Sequence, residues 1–179
     1  GDWLELVVPM TNLAELRLRL GLVDEAEQGL RLGLNACLDA IPAVRYAHIA
    51  KVIANVHLER GRTVLAAQEL ATAISGASGS GEQPVLADCH RLAAAIALED
   101  GDLERARTSL ERAAKLRQTA FGEAELAVLR ARHARASGAP YLELARMALD
   151  RAQDADDPES MRQAHVLLVR SQNTSVLLV

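Results

Sequence analysis

Four copies of one glycine- and alanine-containing pattern occur in this 179-residue sequence, and this repetition is the feature that most constrains its fold. Each copy is centred on a glycine, and the glycines recur at spacings of 40, 40 and 37 residues: Gly21, Gly61, Gly101 and Gly138. An alanine stands seven residues before each glycine: Ala14, Ala54, Ala94 and Ala131. A second alanine follows each glycine: Ala26, Ala66, Ala106 and Ala145. A period of this length is typical of proteins built from stacked repeats.

Each column of the pattern has a physical interpretation. The glycine predicts the end of a helix in the left-handed backbone conformation, followed by a tight turn. Alanine on both helices allows their backbones to approach closely, and a leucine one turn after the second alanine fills the space beside them. Composition agrees, because Ala (33 residues) and Leu (29 residues) favour helices, whereas Phe, Trp and Tyr together number 4. Each copy is therefore predicted to be a helical hairpin.

These columns resemble the tetratricopeptide repeat (TPR). In the first three copies the step between the two alanines is 12 residues, as from Ala14 to Ala26, which equals the TPR step. The step to the next copy is 28 residues, where the 34-residue TPR has about 22, so the second helix and its exit loop are longer here. The resemblance implies an all-α fold, a right-handed superhelix of stacked antiparallel hairpins with four to five repeats.

The repeats predict one helical repeat domain over residues 1–179, with repeats near 1–40, 41–80, 81–119, 120–155 and, in part, 156–179. Helices are expected at 3–20, 23–39, 43–60, 63–75, 83–100, 103–119, 122–137, 140–154 and 158–172. Pro9 should kink the first helix or mark its true start. The Gly- and Ser-rich segment 76–81 is predicted to be a loop between repeats. In the fourth copy, Pro140 is well placed to open a helix.

Charge and composition exclude several functions. The net charge of −4 provides no general attraction to nucleic acid or to an anionic membrane surface. No apolar run approaches the roughly 20 residues of a membrane-spanning helix, and the first residues do not resemble a signal peptide. Two cysteines, Cys37 and Cys89, make no disulfide framework, so we expect a cytoplasmic protein.

The sequence contains no recognisable catalytic or metal-binding motif. Segment 76–81 lacks the features of a phosphate-binding loop. Cys89 and His90 are adjacent, so on a helix their side chains point about 100° apart. His48 and His57 are nine residues apart, out of phase on a helix, and His57 is interpreted as a core histidine with one hydrogen bond. The prediction is that the chain is not an enzyme and has no cofactor and no metal.

In TPR arrays the first helix of each hairpin lines a concave groove, and the resemblance places polar side chains there. The expected ligand contacts are Lys51, Asn55, Arg91, Arg132 and Arg135. They recur at stacked positions without forced partners on their own helices, and Arg is frequent at binding hot spots. The predicted partner is a protein or peptide segment, including other domains of the same polypeptide, with no direct contact to nucleic acid or membrane.

One TPR subfamily binds C-terminal carboxylates through Lys and Asn four residues apart, a second Asn, and two basic residues on the third helix. Lys51 and Asn55 match the first part. Leu92 stands where the second Asn belongs, and Glu125 stands at one of the basic positions. A carboxylate clamp is therefore not expected.

The 40-residue period and the Ala-, Arg- and Leu-rich composition are similar to the repeat regions of large bacterial transcription regulators. These are the LuxR-type regulators related to the maltose activator, and the actinobacterial antibiotic-regulatory proteins. The resemblance implies an interaction or sensor module within such a regulator. A stand-alone scaffold or co-chaperone, and a receptor for a small molecule or short peptide, remain alternatives.

Both ends of the sequence are apolar, over residues 3–8 and 176–179. Because a solenoid needs polar caps at its ends, we expect another repeat, another domain or a second copy to cover them. Self-association through an end is one way to provide that cover.

Overall fold

The structure is a computed structural model that describes the backbone of residues 3–37 and 43–175 and the side chains of residues 8–32, 46–79 and 81–169. Within these ranges it is all-α, with nine helices and no strand. The helices are α1 (Trp3–Arg19), α2 (Val23–Cys37), α3 (Ala43–Glu59), α4 (Thr63–Ser80), α5 (Gln83–Glu99), α6 (Leu103–Ala114), α7 (Ala120–Ala136), α8 (Leu142–Asp154) and α9 (Pro158–Ser175). The predicted all-α class is confirmed.

The chain divides into two units, and α5 contributes to both. The N-terminal unit extends to Leu92, and in it α1 packs on α2, α3 packs on α4, and α3 also contacts α1 and α2. The C-terminal unit starts at Ala93, and in it α7 packs on α6, α8 and α9, while α8 packs on α9. Each pair α1/α2, α3/α4 and α7/α8 is joined by a short turn and forms a helical hairpin.

The predicted glycine turns are confirmed at all four positions. The φ angles of the four glycines are +74°, +68°, +75° and +73°, for Gly21, Gly61, Gly101 and Gly138 respectively. At each end, the amide of the residue after the glycine donates to a carbonyl five residues earlier; the amide of Asp102, for example, is 2.8 Å from the carbonyl oxygen of Ala97. This bond uses carbonyls that the end of a helix leaves without a partner.

A fifth helix end of the same kind occurs at Asp156, which the glycine pattern does not reveal. Its φ is +51°, and the amide of Asp157 donates to the carbonyl of Ala152 at 2.8 Å. Aspartate tolerates the left-handed region better than most residues. Asp157 is buried and caps α9, since its carboxylate accepts from the amide of Ser160 at 3.4 Å. Asp102 caps α6 in the same way, since its carboxylate accepts from the amide of Arg105 at 3.0 Å.

The predicted alanine contacts are buried at every repeat. None of the eight side chains is more than 1% exposed: Ala14, Ala26, Ala54, Ala66, Ala94, Ala106, Ala131 and Ala145. A methyl group is the largest side chain that allows two helix backbones to come so close. The burial therefore confirms which face of each helix is turned inward.

The core of each unit joins a first helix, its second helix and the first helix of the next repeat. In the N-terminal unit, one cluster combines side chains of α1, α2 and α3: Ala14, Leu18, Ala26, Leu30, Ile49, Val52 and Val56. In the C-terminal unit, α5, α6 and α7 meet in the same way: Ala94, Leu110, Ala113, Leu126 and Leu129. Two further clusters join α7, α8 and α9. Each repeat is therefore stabilised mainly by its neighbour in the sequence.

The prediction of a loop at 76–81 is wrong, because α4 continues to Ser80 and ends at Gly81, whose φ is +72°. Ala73 and Ala77 are buried, at 0% and 1% exposure. Burial of this alanine face favours the helix, against a cost of about 1 kcal/mol for each glycine inside it.

Two predicted boundaries between α6 and α8 also need correction. α6 ends at Ala114 rather than near 119, and the side-chain amide of Gln118 donates to the carbonyls at its end. α7 begins at Ala120 because the hydroxyl of Thr119 caps it, accepting from the amide of Gly122 at 3.1 Å. Pro140 does not open α8, which begins two residues later.

At the ends of the chain, Pro9 lies inside α1 and does not mark its start. The side chains of residues 3–7 and residues 176–179, which carry most of the predicted apolar ends, lie outside the described residues. Among the described side chains nearest to them, Val8 on α1 and Val169 on α9 are exposed.

Ala94→Leu tests the register of the buried alanines. The larger side chain must displace packed neighbours in the cluster of α5, α6 and α7, so the free energy of unfolding should fall by about 1–3 kcal/mol. Ala71→Leu, on the exposed face of α4, is the matched control and should change stability by less than about 0.5 kcal/mol. Urea unfolding followed by circular dichroism measures both, and equal midpoints for the two variants would contradict the register.

Gly101→Ala and Gly79→Ala should shift stability in opposite directions. Neither added methyl would meet an atom within 4 Å, so the difference is purely conformational. At Gly101, with φ of +75°, alanine should cost about 1–2 kcal/mol. At Gly79, inside α4, it should stabilise by about 0.5–1 kcal/mol. Thermal unfolding should show a lowered midpoint for the first and a raised midpoint for the second. A raised midpoint for both would show that residue 101 does not adopt the left-handed conformation.

Candidate functional site

Charged side chains from three successive first helices meet in the N-terminal unit. The ammonium Nζ of Lys51 on α3 lies 2.5 Å from Oε1 of Glu15 on α1 and 3.2 Å from Oδ2 of Asp88 on α5. The Lys51 side chain is 12% exposed, and its two partners are about one third exposed. The lysine thus links two carboxylates that present their remaining surface to solvent.

Arg91 extends this cluster and is more deeply buried than Lys51. Its guanidinium pairs with Oδ1 of Asp88, one turn earlier on α5, and its side chain is only 4% exposed. Asp88 therefore accepts from two cations at once. We name the set Glu15, Lys51, Asp88 and Arg91 the first-helix charge cluster. It contains two positive and two negative groups, so it is electrically balanced.

His48 lies one turn before Lys51 on α3, with Nε2 3.9 Å from Oε1 of Glu15. Burial lowers the pKa of the His48 imidazole, and the positive charge of Lys51 lowers it further, against the opposing effect of Glu15 and Asp88. The pKa of Lys51 is raised, because the attraction of Glu15 and Asp88 outweighs the effect of burial, which alone would lower it. At neutral pH the cluster thus favours a charged lysine and a neutral histidine.

Asn55 follows Lys51 by one helical turn and lies on the same side of α3. Its side chain is half-buried, and it makes no hydrogen bond to any described residue. The amide group can therefore both donate to and accept from a ligand.

In the C-terminal unit, the two predicted arginines of α7 differ in their surroundings. The guanidinium of Arg132 lies 2.6 Å from Oε1 of Glu99 on α5, and about a third of its side chain is exposed. The guanidinium of Arg135 is 6.0 Å from the centre of the Tyr141 ring, a distance at which cation–π attraction operates. Arg135 is otherwise exposed to solvent.

One premise of the sequence analysis needs correction, although the assignment of the binding residues stays a prediction. The polar groove residues were expected to lack partners on their own helices, yet Arg91 pairs with Asp88 three residues earlier. Lys51 pairs with other helices. The i,i+3 spacing of Asp88 and Arg91 is a local signal that could have revealed the ion pair of Arg91. The pairing of Lys51 depends on packing across 36 and 37 residues of sequence.

The residues considered for catalysis are placed as follows. Cys89 is fully buried, and this burial raises the pKa of its thiol to about 12; the charge of Asp88 adds to the effect, and the charges of Lys51 and Arg91 oppose it. The thiol is thus protonated at neutral pH and is a poor nucleophile. The His57 side chain is only half-buried, so it is not a core residue as predicted, and its buried Nδ1 has no hydrogen-bond partner among the described residues. In the described part of the chain, no three His, Cys, Asp or Glu side chains come together as a metal site would require.

A cleft that the sequence analysis missed lies in the C-terminal unit, and its volume is about 260 Å³. Side chains of α6 and α8 form its walls, and α7 forms its floor. Its polar lining consists of Arg107, Glu111, Arg130 and His133. Its apolar lining includes Leu110 and Leu144. We name it the α6–α8 cleft; it lies on a different side of α7 from Arg132 and Arg135.

Searches of protein-family models, of curated proteins and of solved structures find no match to this chain. None of the described helices combines the length and the apolar character needed to cross a membrane. The function is therefore argued from the geometry of the chain itself.

The lowered pKa of His48 predicts how stability depends on pH. The unfolded chain takes up a proton at a higher pH than the folded chain, so the contribution of His48 is present above about pH 6.5 and is lost as the pH falls below it. Replacement His48→Gln should therefore reduce the loss of stability between about pH 7 and about pH 5. Urea midpoints across this range measure the effect.

The control is His165→Gln, since His165 is an exposed histidine on α9. Its pH profile should follow that of the parent chain. Superimposable profiles for the parent chain and the His48→Gln variant would contradict the assignment of the effect to His48.

Proposed function

We propose that this chain is a TPR-like interaction module that binds a protein segment along the first helices of its repeats. The observation that carries the proposal is the alignment of polar side chains from successive first helices. Lys51 of α3 reaches Glu15 of α1 and Asp88 of α5 in the N-terminal unit, and Arg132 of α7 reaches Glu99 of α5 in the C-terminal unit. Such alignment provides a row of directed polar groups for an extended or helical partner.

The proposed architecture is a right-handed solenoid of four to five repeats. It is supported by the same left-handed turn at four glycines and by the alanines buried on both helices of each hairpin. Further support comes from core clusters that join each first helix, its second helix and the next first helix. Within each unit, stacking of this kind leaves the first helices side by side, where their solvent-facing sides can serve as a binding surface.

The five predicted contact residues take two different roles in this proposal. Lys51 and Arg91 are largely buried, so they orient Glu15 and Asp88 rather than reach for the ligand. The residues proposed to contact the ligand directly are then Asn55, Arg132 and Arg135. A partner with both basic and acidic side chains suits these residues, because partly exposed carboxylates (Glu15 and Asp88) and arginines (Arg132 and Arg135) are both present.

The chain is further proposed to serve within a larger bacterial transcription regulator, in the cytoplasm. The support is the 40-residue repeat and the Ala-, Arg- and Leu-rich composition, which are similar to the repeat regions of those regulators. In this role the chain binds a protein segment and performs no chemistry itself, so no cofactor or metal is required.

The double variant Arg132→Glu with Arg135→Glu tests the binding surface. The variant reverses the charge of the exposed Arg135 and of Arg132, which is about one third exposed and pairs with Glu99. Capture of the partner should fall by about tenfold or more, while the melting curve stays close to that of the parent. Crosslinking and affinity capture against the host's proteins, and against the flanking domains of the proposed regulator, measure this. Crosslinks should map to α3, α5 and α7.

The matched control is Arg105→Glu with Arg112→Glu, which reverses two exposed charges on α6. It should capture the partner as the parent does. Undiminished capture by the α7 variant, with crosslinks on α2, α4 or α6, would contradict the first-helix assignment.

A further inference from the structure

The α6–α8 cleft lies where the fourth repeat departs from the other repeats. The first helices can be aligned on their buried alanines, Ala54, Ala94 and Ala131, each 0% exposed. In this alignment Arg130 takes the position of Ile53 and Ala93. Ala93 is 7% exposed, and Ile53 packs against the core cluster of the N-terminal unit. The position is apolar in the other three repeats, exposed in the first (Leu13) and inward-facing in the second and third, and it is an exposed arginine in the fourth.

The same change occurs one turn later, at His133. Its equivalents in the second and third repeats are Val56, which is 2% exposed, and Ile96, which is 0% exposed, whereas Leu16 in the first repeat is exposed. Nε2 of His133 lies 3.0 Å from the carbonyl oxygen of Leu103 at the start of α6. Because a carbonyl oxygen only accepts hydrogen bonds, Nε2 carries the hydrogen, and the bond holds the ring in place at the cleft. Two positions one helical turn apart, which are aliphatic in the other repeats, are therefore polar in the fourth repeat.

One cation of the cleft makes no ion pair, although the nearby charges balance in number. Arg107 is paired with Glu104 and with Glu111, the latter at 2.9 Å. Arg130 has no ion pair and no hydrogen bond to any residue that the structure describes. An unpaired guanidinium at the edge of a cleft is suited to bind a carboxylate through two parallel hydrogen bonds.

The remaining lining indicates what accompanies the carboxylate. Leu110 and Leu144 provide apolar contacts from the two walls. The volume of about 260 Å³ lies below the range of pockets for small molecules and cofactors, and it suits one or two side chains of a peptide. A polyanion such as nucleic acid is disfavoured by Glu104 and Glu111 beside the cleft and by the net charge of −4.

We propose that the α6–α8 cleft binds an acidic side chain and an adjacent aliphatic side chain of a partner protein, with Arg130 as the anion-binding group. This rests on the proposed function in assuming a protein ligand, but it adds a second contact surface, formed by residues of α6, α7 and α8. The acidic group pairs with Arg130, and the aliphatic group packs on Leu110 and Leu144. His133 shapes the floor of the cleft.

The test uses short synthetic peptides of Gly and Ser with a central Glu-Leu pair, and the isotopically labelled full chain of 19.2 kDa. Nuclear magnetic resonance titration to peptide concentrations of about 1 mM should shift amide signals in α6, α7 and α8. Peptides with Gln-Leu or Glu-Ser in the centre should bind about tenfold more weakly.

Two protein variants complete the test. Arg130→Gln should weaken Glu-Leu binding about tenfold, to the level of the Gln-Leu peptide, whereas Arg146→Gln on the exposed side of α8 should leave it unchanged. The double variant Arg130→Ile with His133→Val restores the side chains found at residues 53 and 56. It should remain folded, by circular dichroism and by retained signals elsewhere, and should not bind the peptide.

Equal binding of the Glu-Leu and Gln-Leu peptides, undiminished binding by the Arg130→Gln variant, or no shift with any peptide would overturn the cleft proposal. Partner capture that depends on Arg132 and Arg135 would stand in each of these cases. Conversely, Glu-Leu binding at the cleft supports this proposal even when reversal of Arg132 and Arg135 leaves capture unchanged. The two failures are thus distinguishable.

Discussion

Each glycine turn places a residue in the left-handed conformation between two helices, and a buried alanine on each helix allows their backbones to approach closely. This close packing of the two helices decides where the other side chains of the repeat can lie. The bond from the amide after the glycine to the carbonyl five residues earlier ends the first helix at a defined point. The alanine methyls then let the second helix pack against it without steric overlap. Larger side chains at these positions would move the helices apart and separate the groups that lie across them.

The first-helix charge cluster depends on that spacing. Lys51 on α3 reaches carboxylates on two other first helices, Glu15 on α1 and Asp88 on α5. Removing charges from water is costly, so partly buried ion pairs of this kind add less to stability than their short distances suggest. Their effect is to hold Glu15 and Asp88 in defined positions. A ligand of the kind proposed would then meet groups that are already oriented, which reduces the entropy lost on binding.

The fourth repeat shows how a regular scaffold can gain a site by local change. Its glycine follows the previous one by 37 residues instead of 40, and its first helix carries Arg130 and His133 at two seam positions. Aliphatic side chains there would close the contact with the neighbouring second helices, as Val56 and Ile96 do in their own surroundings. Polar side chains leave a cleft, because a guanidinium cannot be buried without a partner. Function in a repeat protein can thus be sought where a repeat departs from its own pattern.

The sequence by itself determined the helices, the four glycine turns and the buried alanines, because a positive φ and a helical period are properties of short segments. It also indicated that Lys51, Arg91 and Arg132 lie on first helices. Tertiary structure decided that α4 continues through Gly76 and Gly79, since burial of Ala73 and Ala77 outweighs the low helix propensity of glycine. It also decided which carboxylate each cation meets and that the α6–α8 cleft exists. These features arise between helices that are distant in sequence, where only packing brings the side chains together.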